Sequence, residues 1–146
     1  MASTGVRNDP ALGFRFEVTL DELAVGGFSE CTGLQSEIEV QDHPEGGLNT
    51  HLRKFPTRAR QSNITLRRGI VDRVLWNWHA EMVRGRITVR DGSIRVRDPG
   101  GQAVIVEWQF RQAFPCKWVG PDLNATQNAV AVDTFELCHQ GLERTT

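Results

Sequence analysis

The segment AVIVEWQF, residues 103–110, shows the pattern that decides the interpretation of the whole chain. Successive side chains of a β-strand point to opposite faces, so every second residue shares a face. The residues of one face are apolar: Val104, Val106, Trp108 and Phe110. Glu107 and Gln109 fall on the other face. A strand that is dry on one side and wet on the other is typical of an antiparallel sheet covering a core.

The same two-residue period recurs along the chain and predicts a mainly β protein. We predict further strands at residues 14–20, 34–41, 61–68, 114–119 and 129–139. Asp91-Gly92 lies between two alternating segments, which predicts a hairpin turn there. Residues 42–56 are predicted to form a long inter-strand loop, and loops of that length are usually functional or disordered.

One segment has the three- and four-residue spacing of a helix instead. Asp72 is suited to begin it and Gly85 to end it. The apolar stripe begins at Val71, and the residues that we expect to form its core side are Val74, Leu75, Trp78 and Met82.

Length and composition exclude several classes of protein. The chain has 146 residues, of which 39% are hydrophobic and 24% charged. These values predict one globular domain over residues 1–146, with its core at about 12–143. No apolar run approaches the ~20 residues of a membrane helix, so membrane insertion is not expected. No Sec-type signal is visible near the start, so we expect synthesis in the cytoplasm without classical secretion.

Charge is balanced overall but not along the chain. Residues 1–52 carry two basic and nine acidic side chains, residues 53–97 carry twelve and three, and residues 98–146 carry three and six. The basic middle segment has three interpretations: it binds nucleic acid, it is compensated by the acidic flanks within the fold, or it meets acidic faces of other copies. We favour the second and third together, because no Lys/Arg run is interleaved with stacking aromatics.

Catalytic and metal-binding motifs are missing from the sequence. The four histidines and three cysteines show no metal-ligand spacing, and no nucleophile elbow or phosphate loop is present. Glu37 and Glu39 share a strand face and are the best acid/base candidates, but they lie on a polar face without an apolar pocket. We therefore expect no enzyme activity, no cofactor and no metal.

Several short motifs, taken in order, resemble one family. Each motif is weak alone, and their order and spacing make the match specific over roughly residues 9–144. They are GFSECTGL at 27–34, EGG at 45–47, RKFP at 53–56, NITLRRG at 63–69, WNW at 76–78, GPDLNA at 120–125, FEL at 135–137 and HQGLER at 139–144. The pattern resembles the inner tube proteins of contractile tails, found in T4-like phages and in extracellular contractile injection systems.

The resemblance implies a fold and an assembly. It implies two packed antiparallel sheets, as a β-sandwich or barrel, with one α-helix. It also implies hexameric rings that stack into a hollow tube inside a sheath, with a sheet of each subunit lining the channel. The implied partners are other copies, the sheath protein, the baseplate or spike, and tape-measure or cap proteins, with an effector or DNA as cargo.

The resemblance also assigns roles to particular residues. The expected channel-lining residues are Glu37, Glu39, Asn63, Thr65, Arg67, Arg95, Arg97, Glu107 and Gln109. The loop at 42–56 is expected to contact neighbouring subunits through Glu45, Arg53, Lys54 and Phe55, with residues 7–12 and 120–127 as further contacts. The alternative function is a nucleic-acid-binding β domain that uses the basic segment 53–97.

Overall fold

A computed structural model describes residues 15–21, 23–25, 28–44, 53–68, 73–126 and 131–146. The described part is mainly β with one helix, which confirms the predicted fold class. Its elements are β1 (Arg15–Leu20), β2 (Leu23–Ala24), β3 (Glu30–Thr32), β4 (Ser36–His43), β5 (Arg53–Gln61), β6 (Ile64–Arg68), α1 (Arg73–Val83), β7 (Arg90–Arg97), β8 (Val104–Val119), β9 (Asp133–Cys138) and β10 (Leu142–Arg144). No helix in these ranges is long and apolar enough to cross a lipid bilayer.

The long strand β8 belongs to two half-sheets. Residues 104–113 pair with β7, which continues to β1 and β2, and β10 pairs along the other edge at residues 108–110. We call this group the first half-sheet. Residues 114–119 pair with β9, which continues to β6 and β3, and we call this group the second half-sheet. All of these pairings are antiparallel.

The inward side chains of both half-sheets form one core. Val18, Ile94 and Phe110 come from the first half-sheet, and Leu66 and Phe135 come from the second. All five are almost fully buried. Because side chains alternate along a strand, the neighbours of these residues point away from the core.

The helix closes one side of this core. Leu75 and Trp78 are buried, and Met82 packs against the same cluster. The Trp78 indole Nε1 donates a hydrogen bond to the Thr88 carbonyl at 2.9 Å, which ties the helix to the segment that follows it. The prediction that Val74 lies on the core side of the helix is wrong, because Val74 is 51% exposed.

The structure describes the predicted end of the helix at Gly85 but not its predicted start at Asp72. Gly85 lies just beyond the last helical residue with a φ of 92°, the left-handed conformation of a glycine C-cap. Asp72 and Val71 lie outside the described residues.

The hairpin predicted at Asp91-Gly92 does not form. Both residues lie inside β7, and Gly92 is paired with Leu20 on one side and Phe110 on the other. The glycine is needed for space: a Cβ at Gly92 would lie 2.3 Å from Phe110 Cζ and 2.7 Å from the Thr19 carbonyl oxygen. The glycine of the Asp-Gly dipeptide is therefore explained by close packing between neighbouring strands and not by a turn.

Three other predicted boundaries are corrected. Residues 114–119 are the second half of β8 and not a separate strand. β4 and β5 extend to His43 and from Arg53, so most of the loop predicted at 42–56 is strand or lies outside the described residues. The last predicted strand is shorter, Asp133–Cys138, and the short β10 after it was missed.

We predict that Gly92→Ala lowers the free energy of unfolding by about 1–3 kcal/mol, because the added methyl group overlaps a buried ring and a strand carbonyl. Chemical denaturation is the measurement. Gly100→Ala is the matched control, since the nearest atom to its added Cβ is 3.8 Å away. Equal stability of the two variants would contradict the packing argument.

Candidate assembly surfaces

The structure distributes the nine expected channel-lining residues over three surfaces. Asn63, Thr65 and Arg67 flank or lie in β6 on the outer face of the second half-sheet, and Glu37 and Glu39 lie on β4. The other four lie on β7 and β8, on the outer face of the first half-sheet: Arg95, Arg97, Glu107 and Gln109. Because the two half-sheets cover the same core, their outer faces lie on different sides of the molecule. One channel wall therefore cannot contain all nine.

The outer face of the second half-sheet is polar. Asn63 Nδ2 donates to Glu136 Oε1 at 2.8 Å, and Arg67 lies 3.7 Å from the Glu30 carboxylate. A depression of about 220 Å³ lies beside them, lined by Arg67, Lys117, Val119, Thr134 and Glu136. Sequence reasoning missed Lys117, Thr134 and Glu136, although the alternation of β9 contained the signal for the last two.

The outer face of the first half-sheet carries a chain of ion pairs across three strands. Arg97 Nη2 lies 2.8 Å from Glu17 Oε1, and Arg95 Nε lies 3.1 Å from Glu107 Oε1. Arg95 Nη1 also lies 3.8 Å from Glu17, so the Glu17 carboxylate of β1 joins Arg95 and Arg97 of β7. Glu17 was not among the predicted residues, because its pairing with β7 depends on strand register and not on local sequence.

The ion pairs decide between the interpretations of the charge split. Among the described side chains, at least six of the twelve basic residues of segment 53–97 lie within 4 Å of an acidic residue from the flanking segments. Their partners are Glu17, Asp21, Glu30, Glu39 and Glu107. The pairs are spread over the hairpin and both half-sheets, so the basic segment does not form one continuous cationic surface. Compensation within the fold is the interpretation that this arrangement favours.

β4 and β5 form a two-stranded hairpin apart from the main sheet. Glu39 lies between two arginines of β5, 3.1 Å from Arg58 Nε and 2.9 Å from Arg60 Nη1. Its carboxylate therefore pairs with both of these guanidinium groups. The opposite face carries Ile38 and Val40, each 58% exposed. These two residues are therefore not covered by the core of their own subunit.

The residues expected in an inter-subunit loop lie elsewhere in the hairpin. Arg53, Lys54 and Phe55 are in β5, paired with β4, so their predicted place in a loop is corrected. Phe55 is 44% exposed and its ring lies against His43, with 6.0 Å between centroids. Glu45 lies outside the described residues.

Two edges of the second half-sheet are open within the described residues. β3 pairs only with β6, and residues 114–119 of β8 pair only with β9. These edges lie on opposite sides of the same four-stranded unit. Open edges expose unpaired backbone N–H and C=O groups, which pair readily with a strand of another chain.

The cysteines of this region are poor nucleophiles. Burial raises the pKa of the Cys31 thiol to about 11. The pKa of Cys116 is also raised, first by burial and then by the nearby Glu136 carboxylate. Within the described ranges, no group of three or more His, Cys, Asp or Glu side chains is placed to hold a metal ion. The expectation of no cofactor and no metal stays a prediction for the whole chain.

Comparisons with known proteins agree on one family. The family model of the T4-like virus tail tube protein gp19 matches residues 12–143. A chain of the PVC sheath–tube complex, an extracellular contractile injection system in its extended state, is 23% identical, with a TM-score of 0.82 over 98% of this chain and 99% of that one. A chain of the anti-feeding prophage cap is 25% identical, with a TM-score of 0.79 over 99% and 96%.

A more distant likeness of fold extends to Hcp proteins. Hcp1 from Flavobacterium johnsoniae is 14% identical, with a TM-score of 0.55 over 90% of this chain and 94% of that one. No curated protein sequence matches the chain.

We predict that Cys31 reacts with iodoacetamide at pH 8 roughly 100-fold more slowly in the folded protein than in the denatured protein, because only the thiolate is nucleophilic. The raised pKa gives the sign: the rate climbs with pH and does not level off before about pH 11. Site-resolved mass spectrometry is the measurement. A Cys31 rate that levels off near pH 8.5 in the folded protein would contradict the effect of burial.

Proposed function

Because the chain belongs to the T4-like virus tail tube protein family, it is a tail tube protein, and we propose that it forms hexameric rings that stack into the inner tube of a phage tail or an extracellular contractile particle. The single observation that supports ring formation best is the pair of open edges on the second half-sheet. We expect a structural subunit without catalytic activity, cofactor or metal.

In the proposed ring, the open edge of β3 in one subunit pairs with residues 114–119 of β8 in the next. The two edges belong to one four-stranded unit, so each subunit pairs its β3 edge with one neighbour and its β8 edge with the other. This is a head-to-tail contact, and such contacts close into a ring when the rotation between subunits allows it. Closure also removes the open edges, as it does in every β-barrel.

The outer face of the second half-sheet then lines the channel. It supplies Asn63, Thr65 and Arg67 of the expected set, together with Lys117 and Glu136. Both signs of charge occur side by side on this face, and Glu136 is already bound by Asn63. A wall of mixed charge limits strong adhesion of cargo, whether that cargo is an effector or DNA. In this arrangement Arg95, Arg97, Glu107 and Gln109 face away from the channel.

The β4–β5 hairpin is the proposed contact between subunits. An isolated two-stranded hairpin is marginally stable in water, because it has no core to bury. This hairpin also exposes Ile38, Val40 and Phe55. Another copy of the chain would cover these side chains, so we keep the expected contact role of Arg53, Lys54 and Phe55 and move it from a loop to a strand pair.

The similar structures support a proposal for the setting of the tube. One similar chain belongs to a sheath–tube complex, one to a baseplate and one to a tube-terminating cap. We propose the same classes of partner here: a sheath around the tube, a baseplate with its spike at one end and a cap or tape-measure protein. We also propose cytoplasmic synthesis without a Sec signal. The ion pairs between arginines of segment 53–97 and acidic side chains of the flanking segments give no support to nucleic-acid binding as the main function.

We predict that the purified chain forms rings or hollow tubes of uniform width when it is concentrated. Negative-stain electron microscopy is the measurement. A baseplate or preformed tube ends are added to nucleate growth. A chain that stays monomeric even with such ends present would contradict the tube role.

We predict that a gold cluster on Thr65→Cys appears inside the channel in end-on views of these tubes. The matched variant is Glu107→Cys, whose gold should appear at the perimeter, because the two residues lie on the outer faces of different half-sheets. Both are made in a background in which Cys31, Cys116 and Cys138 are replaced by Ala. The reverse placement would show that the first half-sheet lines the channel.

A further inference from the structure

We propose that Glu30 and Lys117 determine which sheet edges join when two copies of this chain meet. Glu30 lies on the open edge of β3, and Lys117 lies on the open edge of β8. Their opposite charges favour the pairing of β3 with β8 and disfavour the pairing of either edge with itself. The inference rests on the proposed ring and adds to it the residues that give the ring its direction.

Backbone pairing alone does not select one partner for each edge. The four strands of the second half-sheet alternate in direction, so its two outer strands run opposite ways. Neighbouring copies related by rotation about a ring axis therefore pair β3 with β8 in the antiparallel sense. Two copies related by a two-fold axis would pair β3 with β3, or β8 with β8, and these pairs are antiparallel as well. The side chains on the edges must therefore make the choice.

Both charged side chains lie on the outer face of the half-sheet. Cys31 and Trp118 pair with buried core residues, so these two positions face the core. Because successive side chains alternate, the adjoining Glu30 and Lys117 face outward, and both are exposed. On this face the edge of β3 carries a single charge, which is negative, and residues 114–119 of β8 carry a single charge, which is positive.

The register of the half-sheet brings the two charges together where copies join. One row across its strands runs from Glu30 to Val119, and a second row runs from Thr32 to Lys117. A neighbour that continues these rows places Lys117 diagonal to Glu30, and a shift of two residues places them directly opposite. A shift of one residue is excluded, because it would turn core side chains outward. Cβ atoms are about 5 Å apart in opposite positions and about 7–8 Å apart in diagonal ones, which long charged side chains can span.

Both charges have room for a partner in another copy. The Glu30 carboxylate lies 3.7 Å from Arg67 Nη1, and these two side chains are 51% and 53% exposed. That distance is well beyond the ~2.7–2.9 Å of a hydrogen-bonded ion pair. Lys117 lies within 4 Å of no carboxylate in the part of the chain that the structure describes. An ion pair between copies would therefore form without breaking a close ion pair within either one.

Pairing of like edges brings like charges together. Two antiparallel β3 strands place their Glu30 carboxylates opposite or diagonal on one face, and two β8 edges do the same with Lys117. Like charges in such positions are destabilising, and charged side chains on edge strands protect sheets against uncontrolled pairing. A two-fold contact also closes on itself as a dimer, whereas a head-to-tail contact can extend to a ring. The charge pair thus selects the contact that builds a ring.

The test uses two charge reversals that are each designed to fail alone. Glu30→Lys makes both edges basic, and Lys117→Glu makes both edges acidic. Where the wild-type chain forms rings, each variant alone should need a protein concentration at least roughly tenfold higher, measured by native mass spectrometry and electron microscopy. Arg86→Glu is the matched control, because it changes the net charge as much as Lys117→Glu at an exposed position outside both edges. This control should form rings at the wild-type concentration.

An equimolar mixture of the two reversed variants gives the sharper result. The basic β3 edge of Glu30→Lys then meets the acidic β8 edge of Lys117→Glu. The acidic β3 edge of Lys117→Glu likewise meets the basic β8 edge of Glu30→Lys. We therefore expect the mixture to form rings at the wild-type concentration, with the two variants in equal numbers and strict alternation. A mass label on one variant distinguishes this composition from random mixing.

The outcomes separate the inference from the function beneath it. Rings of folded Lys117→Glu alone at the wild-type concentration would overturn the charge pairing. A mixture that forms no rings, or rings of random composition, would also overturn it, while wild-type rings would leave the tube function intact. A wild-type chain that forms neither rings nor tubes would overturn both. Thermal unfolding shows whether each variant is folded before it is mixed.

Discussion

The shared strand β8 is the constraint on which the rest of the structure depends. To serve both half-sheets it must turn between residues 104–113 and 114–119, and Gln112 takes a φ of 50° at the turn. The Gln112 N–H donates to Asp91 Oδ1 at 2.9 Å, and the Asp91 N–H donates to Asp21 Oδ1 at 3.2 Å. Two aspartates from β7 and the end of β1 thus hold the turn, while Gly92 leaves room for Phe110 beside it. The Asp91-Gly92 pair of β7 therefore stabilises a bend in β8 and does not form a turn of its own.

That turn gives the protein its two unlike outer faces. On the first half-sheet, ion pairs join β1, β7 and β8, so the charges of distant segments neutralise one another within one subunit. On the second half-sheet, the strands end in open edges and continue into the hairpin. In the proposed ring, one face is complete within the chain and the other needs more copies. This division allows a chain with a formal net charge of −1 to assemble directionally in the proposed tube.

The sequence predicted most of what depends on local periodicity. The mainly β character, the helix, its glycine cap and the burial of Ile64 and Leu66 against exposed Arg67 all follow from spacing. The sequence-based predictions were wrong where contacts between distant segments determine the structure. The dipeptide Asp-Gly occurs both in turns and in tightly packed strands, so it predicted a turn where β7 continues. Val74 has the spacing of a core residue but is 51% exposed. The contacts of Glu17 with β7 and of Glu136 with Asn63 could not be predicted, because the register between two strands is not encoded in either strand alone. The two outer faces were merged into one for the same reason, since alternation says that a residue faces out but not on which side.

The short connections from β3 to β4 and from β5 to β6 also have a mechanical consequence. In an antiparallel ladder the hydrogen bonds run perpendicular to the strands. In the proposed stack, a pull along the tube axis acts along these strands and loads the bonds in shear, so they must fail together. A pull across the strands would instead open them one at a time. The same two strands that carry the hairpin away from the core would therefore give the tube its tensile strength while it is driven forward.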